Sequence, residues 1–113
     1  MKGKNLGELE ELVLLMVGAL GEDAYGVAIM DEIEAQVRRR LNISAIHSVL
    51  KRLEQKGFLT SEMGGSTSER GGRRKRLFVI TNGGKVVLEE IREVRNLLWE
   101  QIPKLAYSAL YVR

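Results

Sequence analysis

The sequence predicts a mainly α-helical chain with one small β-hairpin, in the order helix, helix, helix, hairpin, helix. Three observations predict it. Apolar residues recur at spacings of three and four over four separate stretches, the pattern of amphipathic helices. After a glycine- and serine-rich stretch at residues 64–72, the period shortens to two. A final apolar stripe, running from Val87 to Ile102, is longer than a chain of 113 residues can easily cover with its own core.

The first helix is expected from Leu6 to Leu20, with Leu9, Leu12, Val13, Met16, Val17 and Leu20 on one face. Glu8, Glu10 and Glu11 stand at its start, where the helix dipole favours anions. Leu14 and Leu15 widen the apolar surface and predict burial on more than one side. Gly18 costs about 1 kcal/mol relative to alanine inside a helix, which predicts close approach of another backbone. Gly21 is placed to end the helix. The second helix is expected from Ala24 to Arg38, capped by Asp23, with Tyr25, Ile29 and Ile33 repeating every four residues. The third is expected from Ser44 to Lys56, capped by Asn42 or Ser44 and ended by Gly57. Ile46, Val49, Leu50 and Leu53 form its inner face.

Phe58 to Thr60 and Leu77 to Thr81 read as the two arms of the hairpin. Thr81 caps a fourth helix, expected over Asn82 to Gln101, and Pro103 disfavours helix at the residue before it. The final ten residues read equally as a turn of helix or a strap. Residues 1–5 read as a loose basic arm. Residues 1–81 are thus expected to form one unit, and residues 82–113 a dimerisation helix and tail.

Composition excludes several function classes. With 44% apolar and 29% charged residues the chain is of ordinary globular type. It has no cysteine and a single histidine, His47, so disulfides, thiolate nucleophiles and Cys- or His-rich metal sites are excluded. No cofactor or metal is expected. The apolar run Leu12 to Leu20 is too short to span a bilayer, and the acidic residues before it interrupt any signal-peptide pattern. A cytoplasmic location and no membrane partner are expected. Gly83-Gly84-Lys85 has the ending of a phosphate-binding loop without its upstream glycine spacing, and reads as the first turn of the fourth helix. No constellation of nucleophile and base is visible, so no enzyme activity is expected.

The charge is concentrated. The net charge is +3, yet Arg70, Arg73, Arg74, Lys75 and Arg76 lie together on the hairpin against Glu69 alone. Such a glycine-flanked cationic loop suits phosphate contact or a narrow minor groove. The third helix offers a second surface: Ser44, His47, Ser48, Lys51 and Arg52 point away from its apolar face. Short polar and basic groups on one face of a helix, with the other face packed on the domain, are what a DNA-reading helix needs. The order of elements with this charge pattern is that of a winged helix-turn-helix domain followed by a C-terminal dimerisation helix.

Three stretches carry a resemblance. They are Leu6-Gly7-Glu8-Leu9-Glu10 leading to Gly21-Glu22-Asp23-Ala24-Tyr25-Gly26; Ser44 through Gly57; and Glu69 through Arg76 followed by Ile80-Thr81 and Gly84. In this order and spacing the chain resembles the PadR family of transcriptional regulators over residues 6–100. The resemblance implies a homodimer, usually a repressor, with two recognition helices in successive major grooves of near-palindromic double-stranded DNA. Half-sites would then lie roughly 34–36 Å apart. The family usually carries a Tyr-Pro pair where this chain has His47-Ser48, and aromatic residues where it has Leu77-Phe78, so the base preference is its own.

The fourth helix points to dimerisation independently, through Leu88, Ile91, Val94, Leu98 and Ile102. Trp99 lies on the same helix. In some relatives an aromatic residue near this position stacks flat hydrophobic molecules at the dimer centre, so the resemblance implies that Trp99 contacts a small hydrophobic ligand. Packing of Trp99 in the dimer interface is the other reading. A different function also fits the fold: a protein-interaction module using the apolar C-terminal segment, without specific DNA binding.

Overall fold

The computed structural model describes residues 5–64 and 75–102. Helix α1 spans Glu8–Leu20, α2 Gly26–Val37, α3 Ile43–Gln55 and α4 Asn82–Trp99, with strands β1 Leu59–Met63 and β2 Arg76–Ile80 between α3 and α4. The predicted mainly α class with one hairpin is therefore the observed one.

Helix α1 begins at Glu8, after Gly7, because the Glu10 carboxylate turns back to accept the Gly7 N–H at 2.8 Å. It ends at Gly21, whose φ of 59° carries the chain off the helical path while its N–H still reaches the Val17 carbonyl. Gly18 does not mark a close backbone approach. It is exposed, and a methyl there would meet only Ile80 Cδ1 at an ordinary 3.8 Å. The wider burial of α1 holds for Leu14, which is fully buried, and fails for Leu15, which is 49% exposed.

Asp23 does not cap α2. It lies in a single 3-10 turn, Gly21–Asp23, and the N-cap position is Tyr25 in extended conformation. The cause is tertiary. The Ala24 carbonyl accepts the Phe78 N–H at 3.0 Å and Tyr25 bridges Leu77, so this segment is drawn out beside β2 and the helix starts only at Gly26. Helix α2 ends one residue before the expected Arg38, which sits at φ 62°, ψ 40° and closes the last turn onto Glu34. Of the two candidate caps for α3, Asn42 serves: its side chain accepts the Ala45 N–H at 2.7 Å. Gly57, at φ 86°, turns the chain into β1.

The strands pair antiparallel, with Leu59 opposite Ile80 and Met63 opposite Arg76. Phe78 faces the core and Val79 faces out. Thr81 joins hairpin to helix: its hydroxyl donates to the Gly57 carbonyl and accepts the Gly84 N–H, as a cap should. A methyl on Gly84 would collide with the Phe58 carbonyl oxygen, so the glycine-rich start of α4 is explained by packing.

The core lies between the three first helices and the inner face of the hairpin. Leu14, Ile29, Ile33, Ile46, Leu50, Leu53 and Leu59 are its largest fully buried side chains, each stabilising the fold by about 1.5–3 kcal/mol relative to exposure. Val87 reaches it from α4, and Leu88 and Ile91 pack at its margin. α4 ends at Trp99, two residues earlier than expected. Val94, Leu98 and Ile102 of the predicted dimerisation stripe are about half exposed, together with Leu97 and Trp99. No helix among the described residues is long and apolar enough to cross a membrane.

Candidate nucleic-acid interface

Helix α3 sets the geometry. Successive residues turn by about 100°, so the buried Ile46, Val49, Leu50 and Leu53 leave Ser44, His47, Ser48 and Lys51 on the opposite face, all exposed. Gln55 falls on that face as well, four residues after Lys51, and is exposed. Its spacing from Lys51 was the signal that sequence reasoning passed over.

His47 is held from behind. A methyl on the buried Gly26 would lie 2.9 Å from its Cε1, so the imidazole rests against the first turn of α2 and would have to swing aside to admit a larger residue there. The same ring borders a depression whose rim includes Tyr25, Asp31, Lys75 and Arg76. The outward face of α3 and the cationic root of the hairpin are therefore neighbours.

The hairpin root is tied down on two sides. Gly64 N–H donates to the Lys75 carbonyl at 2.6 Å, and the Lys75 ammonium stands 5.7 Å from the centre of the Tyr25 ring. Arg76 donates to the Ser61 hydroxyl at 2.9 Å, which in turn donates to Glu54 on α3 at 2.6 Å. The other predicted cations of the hairpin, Arg70, Arg73 and Arg74, lie outside the described residues, as do residues 103–113 and the arm at residues 1–4.

Arg52 is placed differently from Lys51. It sits on the flank of α3 that adjoins α1, and its Nε donates to Glu10 Oε2 at 3.3 Å. Lys56 donates to both oxygens of the same carboxylate, at 2.9 and 3.0 Å. Burial pushes the Glu10 carboxyl upward, but the hydrogen bonds from Lys56, Gly7 and Arg52 and the Lys56 charge outweigh it. The net effect holds the carboxyl below its usual value. Sequence reasoning placed Glu10 at the helix dipole and missed this role, because its cationic partners are more than forty positions away. The run Arg38-Arg39-Arg40 was also not singled out. Arg39 pairs with Glu8 at 2.7 Å and Arg40 with Glu34 at 3.4 Å.

Among the described residues no cluster of three or more His, Asp or Glu side chains could hold a metal ion.

A model of the transcriptional regulator PadR-like family matches residues 13–90. The chain belongs to this family. Solved structures agree on the fold. A PadR-like transcription factor from Bacteroides fragilis superposes with a TM-score of 0.70 at 23% identity, covering 87% of this chain and 89% of the other. A PadR-like regulator from Bacillus cereus gives 0.71 at 18% identity, covering 88% and 92%. A PadR family regulator from Eggerthella lenta gives 0.64 at 25% identity, covering 89% and 88%. No curated protein sequence matches significantly. As a PadR family member the protein is a DNA-binding transcriptional regulator and not an enzyme. In this PadR family chain, α3 is the third helix of the winged-helix fold and the wing is the β1–β2 hairpin.

Proposed function

We propose that the protein is a homodimeric, sequence-specific repressor that reads a near-palindromic operator. Ser44, His47, Ser48, Lys51 and Gln55 enter the major groove. Lys75, Arg76 and the wing arginines Arg70, Arg73 and Arg74 contact flanking backbone or minor groove. The observation that carries this reading is the depression that places His47 of α3 beside Lys75 and Arg76 of the wing, so that the outward face of α3 and the wing cations border one site. Phosphate contacts from the wing would position the protein, and the short side chains of α3 would supply base discrimination.

The bare apolar side of α4 supports the dimer. Val94, Leu97, Leu98, Trp99 and Ile102 are each about half exposed or more, and a second copy supplies the matching apolar helix. The two recognition helices would then sit roughly 34–36 Å apart. Trp99, 66% exposed beside Leu98 and Ile102, supports a small flat hydrophobic ligand held between the paired helices and relieving repression. Titration of Trp99 fluorescence with a planar cationic dye tests this, and an unquenched signal defeats it.

Fluorescence anisotropy against duplexes tiled over the gene's upstream region, at several salt concentrations, tests the main reading. The expected result is tight binding to one tile, with log affinity falling by about 0.9 per neutralised phosphate for each unit of log salt. Equal weak binding to every tile and to a scrambled control defeats sequence specificity. No binding at low salt favours the protein-interaction module instead.

A further inference from the structure

The recognition helix is gripped by a carboxylate that the DNA-reading surface does not use. Glu10 is 6% exposed and is the one buried charged residue among the described residues. Both of its oxygens are occupied, Oε1 by Gly7 N–H and Lys56, Oε2 by Lys56 and Arg52. Lys56 has a further tether, donating to the Asn5 carbonyl at 3.1 Å. For Arg52, the 3.3 Å contact with Glu10 is the one ion pair among the described residues, and half of its side chain remains in solvent. Arg52 follows Lys51 directly and lies at the edge of the exposed face; Glu10 takes its Nε and offsets its charge, so the carboxylate and a nucleic-acid backbone compete for the same cation. The neighbouring carboxylates of the same turn are engaged as well: Glu8 with Arg39 and Glu11 with Arg95 of α4.

We propose that Glu10 is a positioning residue that withholds Arg52 from DNA, an internal carboxylate standing in the place of a backbone phosphate. The free recognition helix then presents one cation fewer than its sequence carries. This rests on the reading that α3 faces DNA. Releasing Arg52 adds a phosphate contact that is indifferent to sequence, so Glu10 sharpens discrimination by keeping nonspecific affinity down.

The test is the salt dependence of binding by the full chain to a random duplex and to the operator tile, for wild type, Glu10→Gln, Arg52→Gln and the double variant. Glu10→Gln removes the charge and keeps the shape. The expected result is a slope of log affinity against log salt that steepens by about 0.9 per subunit on both duplexes. Between about 50 and 200 mM salt this is roughly a threefold greater loss of affinity per subunit. The double variant returns to the wild-type slope, because Arg52 is the released cation. A Glu10→Gln protein that binds more weakly at an unchanged slope shows a merely structural role and overturns the proposal. If Glu10→Gln fails to fold by circular dichroism, Arg52→Gln decides: a wild-type slope upholds the proposal, and a slope shallower by about 0.9 per subunit overturns it, since Arg52 would already be on phosphate. A wild-type protein that binds neither duplex at low salt defeats the DNA-facing reading itself, and is told apart by needing no variant.

Discussion

The two halves of α4 carry the same apolar spacing and have different fates. In the first half, Gly84 and Val87 are buried, and Leu88 and Ile91 pack on the core cluster. In the second half, every residue from Arg92 to Ile102 is exposed, although Val94, Leu98 and Ile102 continue the repeat. Thr81 pins the start of the helix to the end of α3 through Gly57, and a straight helix leaving that point runs past the end of the three-helix core. What the difference teaches is that a 3.6-residue period reports an apolar face, and distance from the core decides whether the chain itself covers it.

The comparison is broken most severely at Gly84. Gly84→Ala drives a methyl into the Phe58 carbonyl and within 2.8 Å of Ile80 Cγ1, and is expected to cost about 3 kcal/mol in thermal or urea unfolding. Val87→Ala leaves a small cavity in the same anchored half and should cost about 2 kcal/mol. Beyond the core the outcome changes kind. Leu98→Glu should leave the monomer's circular dichroism intact while weakening self-association at least about tenfold in sedimentation, a difference of about 1.4 kcal/mol. Equal loss of fold from Leu98→Glu and Val87→Ala would erase the contrast between the halves. Arg95→Gln, which removes the 2.8 Å ion pair to Glu11 at the junction of the halves, should change stability by only about 0.5 kcal/mol, because the arginine is largely in solvent. Glu10 adds a pH dependence to the anchored region. Its folded carboxyl lies below its unfolded value, so its contribution is complete above about pH 4.3 and is lost as the pH falls through the folded value. Glu10→Gln should remove that portion of the acid dependence and leave the rest.

Much of the candidate interface was legible because its signals are local. The outward face of α3 follows from the spacing of Ile46, Val49, Leu50 and Leu53, and the wing announces itself by five cations on a glycine-flanked loop. Thr81 starts α4 and Gly21 ends α1 where cap chemistry placed them. Asp23 is instructive in failing. It is a good capping residue by type, but Ala24 and Tyr25 are claimed by β2, more than fifty residues away in the chain, and the cap position moves to Tyr25.

The sequence by itself determined which elements form, which faces are apolar and where positive charge collects, since these depend on residues within a few positions of one another. Only the tertiary structure decided that Arg52 turns to Glu10 while Lys51 faces outward. It alone decided that Gly84 must be a glycine because of Phe58, and that the apolar stripe of α4 is half covered and half bare. Each of those outcomes depends on where one element stops against another, and side chains far apart in the chain acquire a common environment only when the core has closed between them.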